Sequence, residues 1–238
     1  MKLDKWFYTL DDALWLLPDE EGRDEAAFVK RVLKLRKGQS VLDAPCGAGR
    51  VAYHLAKMGC SVTGVDLRAV FVERAQRRFR NQDLAGEFVV MDLRQLDFTK
   101  EFDGIYNWGG SFGYFTDADN LDVLRRYSRA LRSNGRIVID QVNRERLLRN
   151  FAVEMHPSER MTHLNRWDKK VQRVMTERIL DGRNDPRNMS SMRLYTPRQM
   201  KLLFESAGLD LVEIYGSLSG NVLTRSSRRV YFVGRKRM

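Results

Sequence analysis

The chain has 238 residues, 43% of them apolar and 10% aromatic, which suits one well-filled core with an elaboration better than two equal domains. No apolar run approaches the ~18 residues of a membrane helix, and the start Met1-Lys2-Leu3-Asp4-Lys5-Trp6 shows no secretory pattern, so a soluble, cytoplasmic protein without membrane partners is expected. The net charge of +11 is uneven, because residues 144–238 hold 20 Lys and Arg against 10 Asp and Glu while residues 1–143 hold 22 against 21, which suggests an anionic partner for the later part or a solvated basic face.

In chain order, Trp6, Leu10, Leu14 and Leu17 recur at helical spacing up to Pro18, and a second helix is expected from about Arg23 to Arg36, stopped by Gly38. Short apolar strands then alternate with helices: Ser40–Leu42, helix Val51–Met58, Ser61–Val65, helix Val70–Phe79, Glu87–Met91 and Phe102–Asn107. A helix carrying Leu121, Leu124, Tyr127 and Leu131 should stop at Asn134-Gly135, ahead of a fifth strand from Arg136 to Val142. This rhythm predicts an α/β fold, a parallel sheet covered on both faces.

The rhythm breaks over residues 144–193, where polar-rich alternation surrounds Asp181-Gly182-Arg183-Asn184-Asp185-Pro186 and predicts an inserted β-hairpin. It resumes at Thr196-Pro197-Arg198-Gln199, a capping box with proline at the first helical position, whose helix buries Met200, Leu203, Phe204 and Ala207 and stops at Gly208. Strands Leu209–Tyr215 and Arg229–Val233 close the chain. The organisation expected is an N-terminal helical cap (1–37), a core (38–143 and 194–238) and an inserted lid (144–193).

Gly47-Ala48-Gly49-Arg50-Val51-Ala52 follows a strand and opens a helix, the context in which glycines let backbone approach a ligand and helix N–H groups face it. By itself the loop admits a dinucleotide, and hence an NAD-dependent oxidoreductase, as readily as S-adenosylmethionine. Carboxylates separate the two. Asp43, ahead of the glycines, would repel a pyrophosphate but attract an ammonium and a sulfonium. Asp66, after the second strand, is placed to accept from two ribose hydroxyls under either reading. Asp92, after the third strand, is placed to accept from an adenine amine. Cys46 and Cys60 form neither a disulfide framework nor a metal pattern, so no metal is expected.

Four motifs, Leu42-Asp43-Ala44-Pro45-Cys46-Gly47-Ala48-Gly49-Arg50, Gly64-Val65-Asp66, Met91-Asp92-Leu93 and Phe102-Asp103-Gly104-Ile105-Tyr106-Asn107, resemble in type and order those of class I S-adenosylmethionine-dependent methyltransferases, of the small-molecule type. Pro45 departs from the pattern, standing where many members have their first glycine. The resemblance implies a Rossmann-like doubly wound sheet of seven strands, the last antiparallel, with a β-rich lid inserted in it. It also implies S-adenosyl-L-methionine as cofactor and S-adenosyl-L-homocysteine as product, contacted by Asp43, Ala44, Gly47, Gly49, Asp66, Leu67, Asp92, Leu93, Asn107 and Trp108.

The segment Asn107-Trp108-Gly109-Gly110-Ser111-Phe112-Gly113-Tyr114-Phe115 should line the transfer site, and it lacks the Asn/Asp-Pro-Pro-Tyr/Phe sequence with which members of the family hold planar base amines. It resembles instead enzymes that methylate oxygen or nitrogen of small molecules. Since the sulfonium is already a good leaving group, in-line positioning supplies much of the rate and little acid–base chemistry is demanded. Trp108 and Tyr114 are candidate pocket walls, Arg166 and Arg193 candidate clamps for an anionic acceptor, and Tyr114, His163 and Tyr8 candidate catalytic groups, whereas His54 has the position of a structural helix residue. The alternative is an RNA or peptide substrate bound by the basic later part, including Arg225, Arg228 and Arg229, although no recognised RNA-binding module accompanies it. The oligomeric state is not readable from the residues.

Overall fold

The protein, studied as a computed structural model, is described over residues 19–237, without the side chains of 19–21 and 183–188. The helix expected between Trp6 and Leu17 lies outside these residues. The described chain opens with helix α1, Asp19–Val32. Strands and helices then alternate as β1 Ser40–Asp43, α2 Arg50–Lys57, β2 Ser61–Asp66, α3 Ala69–Arg80, β3 Gly86–Val90, β4 Phe102–Asn107, α4 Asp117–Ala130 and β5 Leu131–Val142. The short helix α5, Arg144–Arg149, leads into strands β6 Glu154–Ser158, β7 Met161–Asp168, β8 Arg173–Leu180 and β9 Arg183–Arg193. Helix α6 Pro197–Ser206, β10 Leu209–Tyr215 and β11 Arg229–Lys236 complete the fold.

The main sheet has seven strands in the order β10-β11-β5-β4-β1-β2-β3. All ladders from β5 to β3 are parallel and β11 runs antiparallel between β10 and β5, as the resemblance implied. Each face carries its own core. Phe28 and Val29 of α1, Leu55 of α2 and Val72 and Phe79 of α3 pack one face; Leu124 and Tyr127 of α4 and Met200 and Phe204 of α6 pack the other. Every fully buried side chain of this size contributes ~1.5–3 kcal/mol, so the apolar spacing of each helix selects the face it buries. The strand order reverses between β1 and its neighbours β2 and β4, and the carboxyl ends of the parallel strands meet there, the switch point at which open α/β sheets hold ligands.

Two local details differ from the sequence reading. Helix α4 ends at Ala130, four residues before Asn134-Gly135, because fully buried Leu131 already pairs with Phe102 of β4; the turn at Asn134, with φ 62°, interrupts the strand after it has begun. The C-terminal strand continues to Lys236, held by its pairing with Leu209. The capping box at Thr196 and Gln199 forms as expected, with Pro197 opening α6.

Residues 154–193 build more than a hairpin, namely a second sheet of four antiparallel strands in the order β6-β7-β8-β9. Asp181 and Gly182, with φ 50° and 70°, make the two-residue connection between Leu180 and Arg183, the backbone a type I′ hairpin requires. Because this sheet leaves the core from the carboxyl end of β5, it rises on the side of the switch point.

Candidate active site

Gly47 and Gly49 both have positive φ, 51° and 72°. They serve different ends. A Cβ on Gly49 would sit 3.0 Å from the Ala75 Cβ, so glycine here lets α2 pack on α3; a Cβ on Gly47 would meet nothing within 4 Å, leaving its backbone open on one side. The loop is tied down by its neighbours: the Cys46 amide donates to the Val65 carbonyl at 2.8 Å and the Gly47 amide to Asp66 Oδ2 at 2.9 Å.

Asp66 also accepts from the Arg68 amide at 2.9 Å. It is 8% exposed, and burial raises its carboxyl above the ordinary range despite these backbone donors. Each carboxylate oxygen has two lone pairs, so acceptor capacity remains for a ligand's hydroxyls. Asp43, 2% exposed, is raised further, first by burial; the phenol of Tyr106 beside it works in the opposite direction and the charge of Asp66 in the same one. A loop that gathers two buried carboxylates beside an open glycine fits a ligand that brings positive charge, as a sulfonium does.

Asn107 is fully buried, its amide donating to the Ala44 carbonyl at 2.9 Å and to the Tyr127 hydroxyl at 3.1 Å, and Tyr127 donates to the same carbonyl at 2.7 Å. Asn107 and Tyr127 thus fix the backbone of Ala44, while Asn107 Oδ1 stays buried without a partner. Leu67 is half-buried and Leu93 buried, each following its acidic neighbour. Asp92 caps the turn Leu93–Gln95 by accepting from the Arg94 amide at 2.9 Å, and the Arg94 side chain also donates to it, at 3.0 Å from Nε to Oδ1. Burial works against the charge of Asp92, but the bonds from Arg94 outweigh it and hold the carboxyl below its ordinary range. Arg94 lies over the ring of Phe115, 4.7 Å from the centroid.

Helix α1 covers the glycine loop. Glu25 meets Arg50 at 2.6 Å, with both side chains largely buried, and accepts a hydrogen bond from the Trp108 indole. Gly22 makes the approach possible, since a Cβ there would stand 2.8 Å from Arg50 Cγ. Trp108 is 7% exposed and stacks on Tyr231, centroids 5.3 Å apart, so it is a wall shared by the post-β4 loop, α1 and β11. Asp140 of β5 is fixed by the Arg229 guanidinium through both oxygens and by the Gly109 amide at 3.0 Å. Burial raises Asp140 while Arg229 opposes. Glu25, Arg50, Asp140 and the pairing of Arg229 with Asp140 were not singled out in the sequence; the Gly-Arg pair at 49–50 was the one local signal available.

The second sheet sits against the post-β4 loop through Arg173, whose Nη2 donates to the carbonyls of Gly113, Tyr114, Phe115 and Ser191 at 2.9–3.1 Å. Alternation on β8 buries Val174, Thr176 and Arg178 on one face. Arg178 is 7% exposed, donates to Ser190 Oγ at 2.7 Å and stands opposite His163 of β7. Burial raises the Tyr114 phenol against the combined pull of Arg178 and Arg229, which places all three in one region. Burial and the charge of Arg178 push His163 down to about 4.

Of the other residues singled out in the sequence, Arg193 donates to the Gln172 carbonyl and side-chain oxygen at 3.2 and 2.8 Å and meets Asp117 at 3.3 Å, joining the base of the second sheet to α4. Arg166 is exposed and lies 3.8 Å from Asp168. Tyr8 is outside the described residues. Of the later part's arginines, Arg178 is buried, Arg173 and Arg193 are largely so, and Arg229 is half-buried against Asp140, while Arg225 is an exposed partner of Glu145. Among the described residues no three His, Cys, Asp or Glu are grouped to hold a metal, and no helix is long and apolar enough to cross a membrane.

Comparison with known proteins agrees with this geometry. Residues 41–135 match the family model of a methyltransferase domain. The chain is 25% identical, over 88% of its length and 91% of the relative's, to a protein of Geobacillus sp. (strain WCH70) named as a methyltransferase. It is 32% identical over 61% of its length to the glycine/sarcosine N-methyltransferase of Parasynechococcus marenigrum (strain WH8102), spanning half of that relative. The structure of the CcbJ methyltransferase from Streptomyces caelestis superposes with a TM-score of 0.77 over 99% of this chain and 96% of that one, at 20% identity, a likeness of fold. Motif order, sheet topology and matched domain together define a class I S-adenosylmethionine-dependent methyltransferase. The chain is an enzyme of that class and S-adenosylmethionine is its cofactor.

Proposed function

We propose that the chain transfers the methyl group to a nitrogen of a small, anionic acceptor held between the post-β4 loop and the second sheet, with residues 144–193 serving as substrate lid. The observation that carries this is the convergence of Arg178 from the lid with Tyr114 and Arg229 from the core. A guanidinium buried on the lid's inner face presents forked donors that match a carboxylate or phosphate, and the low local dielectric strengthens the match.

The bound cofactor supplies an electrophilic methyl group on a sulfonium. Asp66 accepts from its ribose, the open backbone at Gly47 admits it, and Asp43 and Asp66 favour its positive charge. Asp92 and Leu93 border the adenine end, while Asn107 acts by holding Ala44 in place. Trp108 and Tyr114 wall the space where the acceptor lies.

Nitrogen is favoured over oxygen by the titration of the groups at hand. A hydroxyl acceptor gains more than an amine does from a base tuned near neutral pH. Tyr114 is raised by burial and stays protonated, and His163, at about 4, is a weak proton acceptor. An amine requires only that its neutral form be bound. A relative named as a glycine/sarcosine N-methyltransferase is in keeping with both the nitrogen and the carboxylate.

The test is incubation of the purified protein with methyl-labelled cofactor and separate pools of amino acids, amino sugars, hydroxy acids and RNA. Label is expected in an amine bearing a carboxylate or phosphate. Label confined to RNA, to protein or to hydroxyl compounds overturns the reading.

A further inference from the structure

At the opposite, amino-terminal edge of the parallel strands a cavity of about 310 Å³ opens between the end of α1, the starts of β1 and β4, the turn within β5 and the end of β11. Three cations line it: Lys34, Arg136 and Arg235. The one acid in the lining, Asp103, is already engaged, accepting from the Ser40 amide at 2.9 Å and from Arg132 Nη1 at 2.8 Å.

Arg136 gives the cavity its chemistry. It is 8% exposed, its Nη2 donates to Glu213 Oε1 at 2.8 Å, and its Nε is buried with no partner. A buried guanidinium N–H without an acceptor is the feature a bound oxygen would satisfy. Lys34 and Arg235 stand exposed at the rim, where they add positive charge without closing the space. Asn134, at φ 62°, turns the chain beside them.

We propose that this cavity is a second binding site, for a small anion bearing phosphate or carboxylate oxygens, separate from the methyl-transfer cleft. Arg136 supplies the buried donor and Lys34 and Arg235 the surrounding charge. The site is remote from the carboxyl end of the sheet along β5, since Asp140 lies four positions beyond Arg136 and an extended strand rises ~3.3 Å per residue.

The test uses the protein saturated with S-adenosylhomocysteine, so that the cleft is filled, titrated in parallel with inorganic phosphate and with citrate while backbone amide resonances are followed. Saturable shifts at Gly135, Arg136 and Arg235 are expected for at least one anion, weakened tenfold or more by Lys34→Ala with Arg235→Ala. Arg166→Ala with Lys169→Ala removes equal charge from exposed lid positions and should change the affinity less than twofold. Phosphate saturating alone assigns the site to phosphate groups, and citrate alone to carboxylates. Shifts that never saturate, that spread over the basic surface, or that respond equally to both double variants overturn the proposal.

Discussion

Replacing Asp66 by alanine tests the cofactor assignment most directly. The carboxylate sits 8% exposed at the end of β2, with the amides of Gly47 and Arg68 each 2.9 Å away. Two hydroxyls donating to a charged acceptor contribute ~1.5–3 kcal/mol each, so their loss removes ~3–6 kcal/mol from cofactor binding. At 1.4 kcal/mol per tenfold, that is a weakening of about 100- to 10,000-fold. The same substitution strips two loop amides of their acceptor, which adds to the loss by loosening the glycine loop, while relief of the buried charge works in the other direction. Calorimetric titration with S-adenosylhomocysteine gives the affinity, and a thermal melt shows whether the variant is folded. Asp66→Asn keeps the shape and one acceptor oxygen, and should fall between the two. Burial raises the Asp66 carboxyl, so affinity in the native protein should begin to drop at a higher pH than an exposed aspartate would dictate. A folded Asp66→Ala variant that binds within tenfold of the native protein would refute the assignment.

Arg178→Ala should raise the acceptor KM by about 10- to 100-fold, the worth of one charge-assisted pair, and leave S-adenosylhomocysteine affinity unchanged in the same titration. An unchanged KM would remove Arg178 from the acceptor site. Arg173→Ala removes a donor shared by carbonyls of the post-β4 loop and of β9, although those of Gly113 and Phe115 keep the Arg193 amide and the Asn120 side chain, and limited proteolysis should then cut within 144–193 several times faster while the core resists. Because His163 titrates at about 4 in the folded chain and near 6.5 unfolded, the unfolded state binds the extra proton between those values, so stability should fall as pH drops through that window. Urea melts of His163→Gln at pH 7 and 5 should show a smaller loss than the native protein, and the kcat profile should show no His163 step between pH 6 and 8.

The α/β alternation, the capping box at Thr196 and the four motifs were legible because each is written in neighbouring residues: apolar spacing, a cap three residues from its partner, a carboxylate at the end of a strand. The same reading extended α4 to Asn134, since it had no means of knowing that Leu131 pairs with Phe102. It took residues 144–193 for a hairpin because alternation reveals strands and a turn residue reveals a bend, while the number of strands that join one sheet depends on long-range pairing.

The arginines of the later part show the division most clearly. Composition counted them and placed them in one segment of the chain. Their surroundings were decided only in three dimensions: Arg173 and Arg193 tie the second sheet to the loop and to α4, Arg229 holds Asp140, Arg178 is buried against Ser190, and Arg166 lies in solvent. Strand parity and cross-sheet contact set whether a guanidinium is buried against carbonyls, against a carboxylate or not at all. A carboxylate at a strand end needs little more than its own strand to reach the carboxyl edge of the sheet, and for that reason the sequence by itself placed Asp43, Asp66 and Asp92 at or just beyond the ends of β1, β2 and β3. The proposed acceptor site combines a loop after β4, a strand of the second sheet and the antiparallel β11, segments far apart in the chain that only tertiary packing brings together.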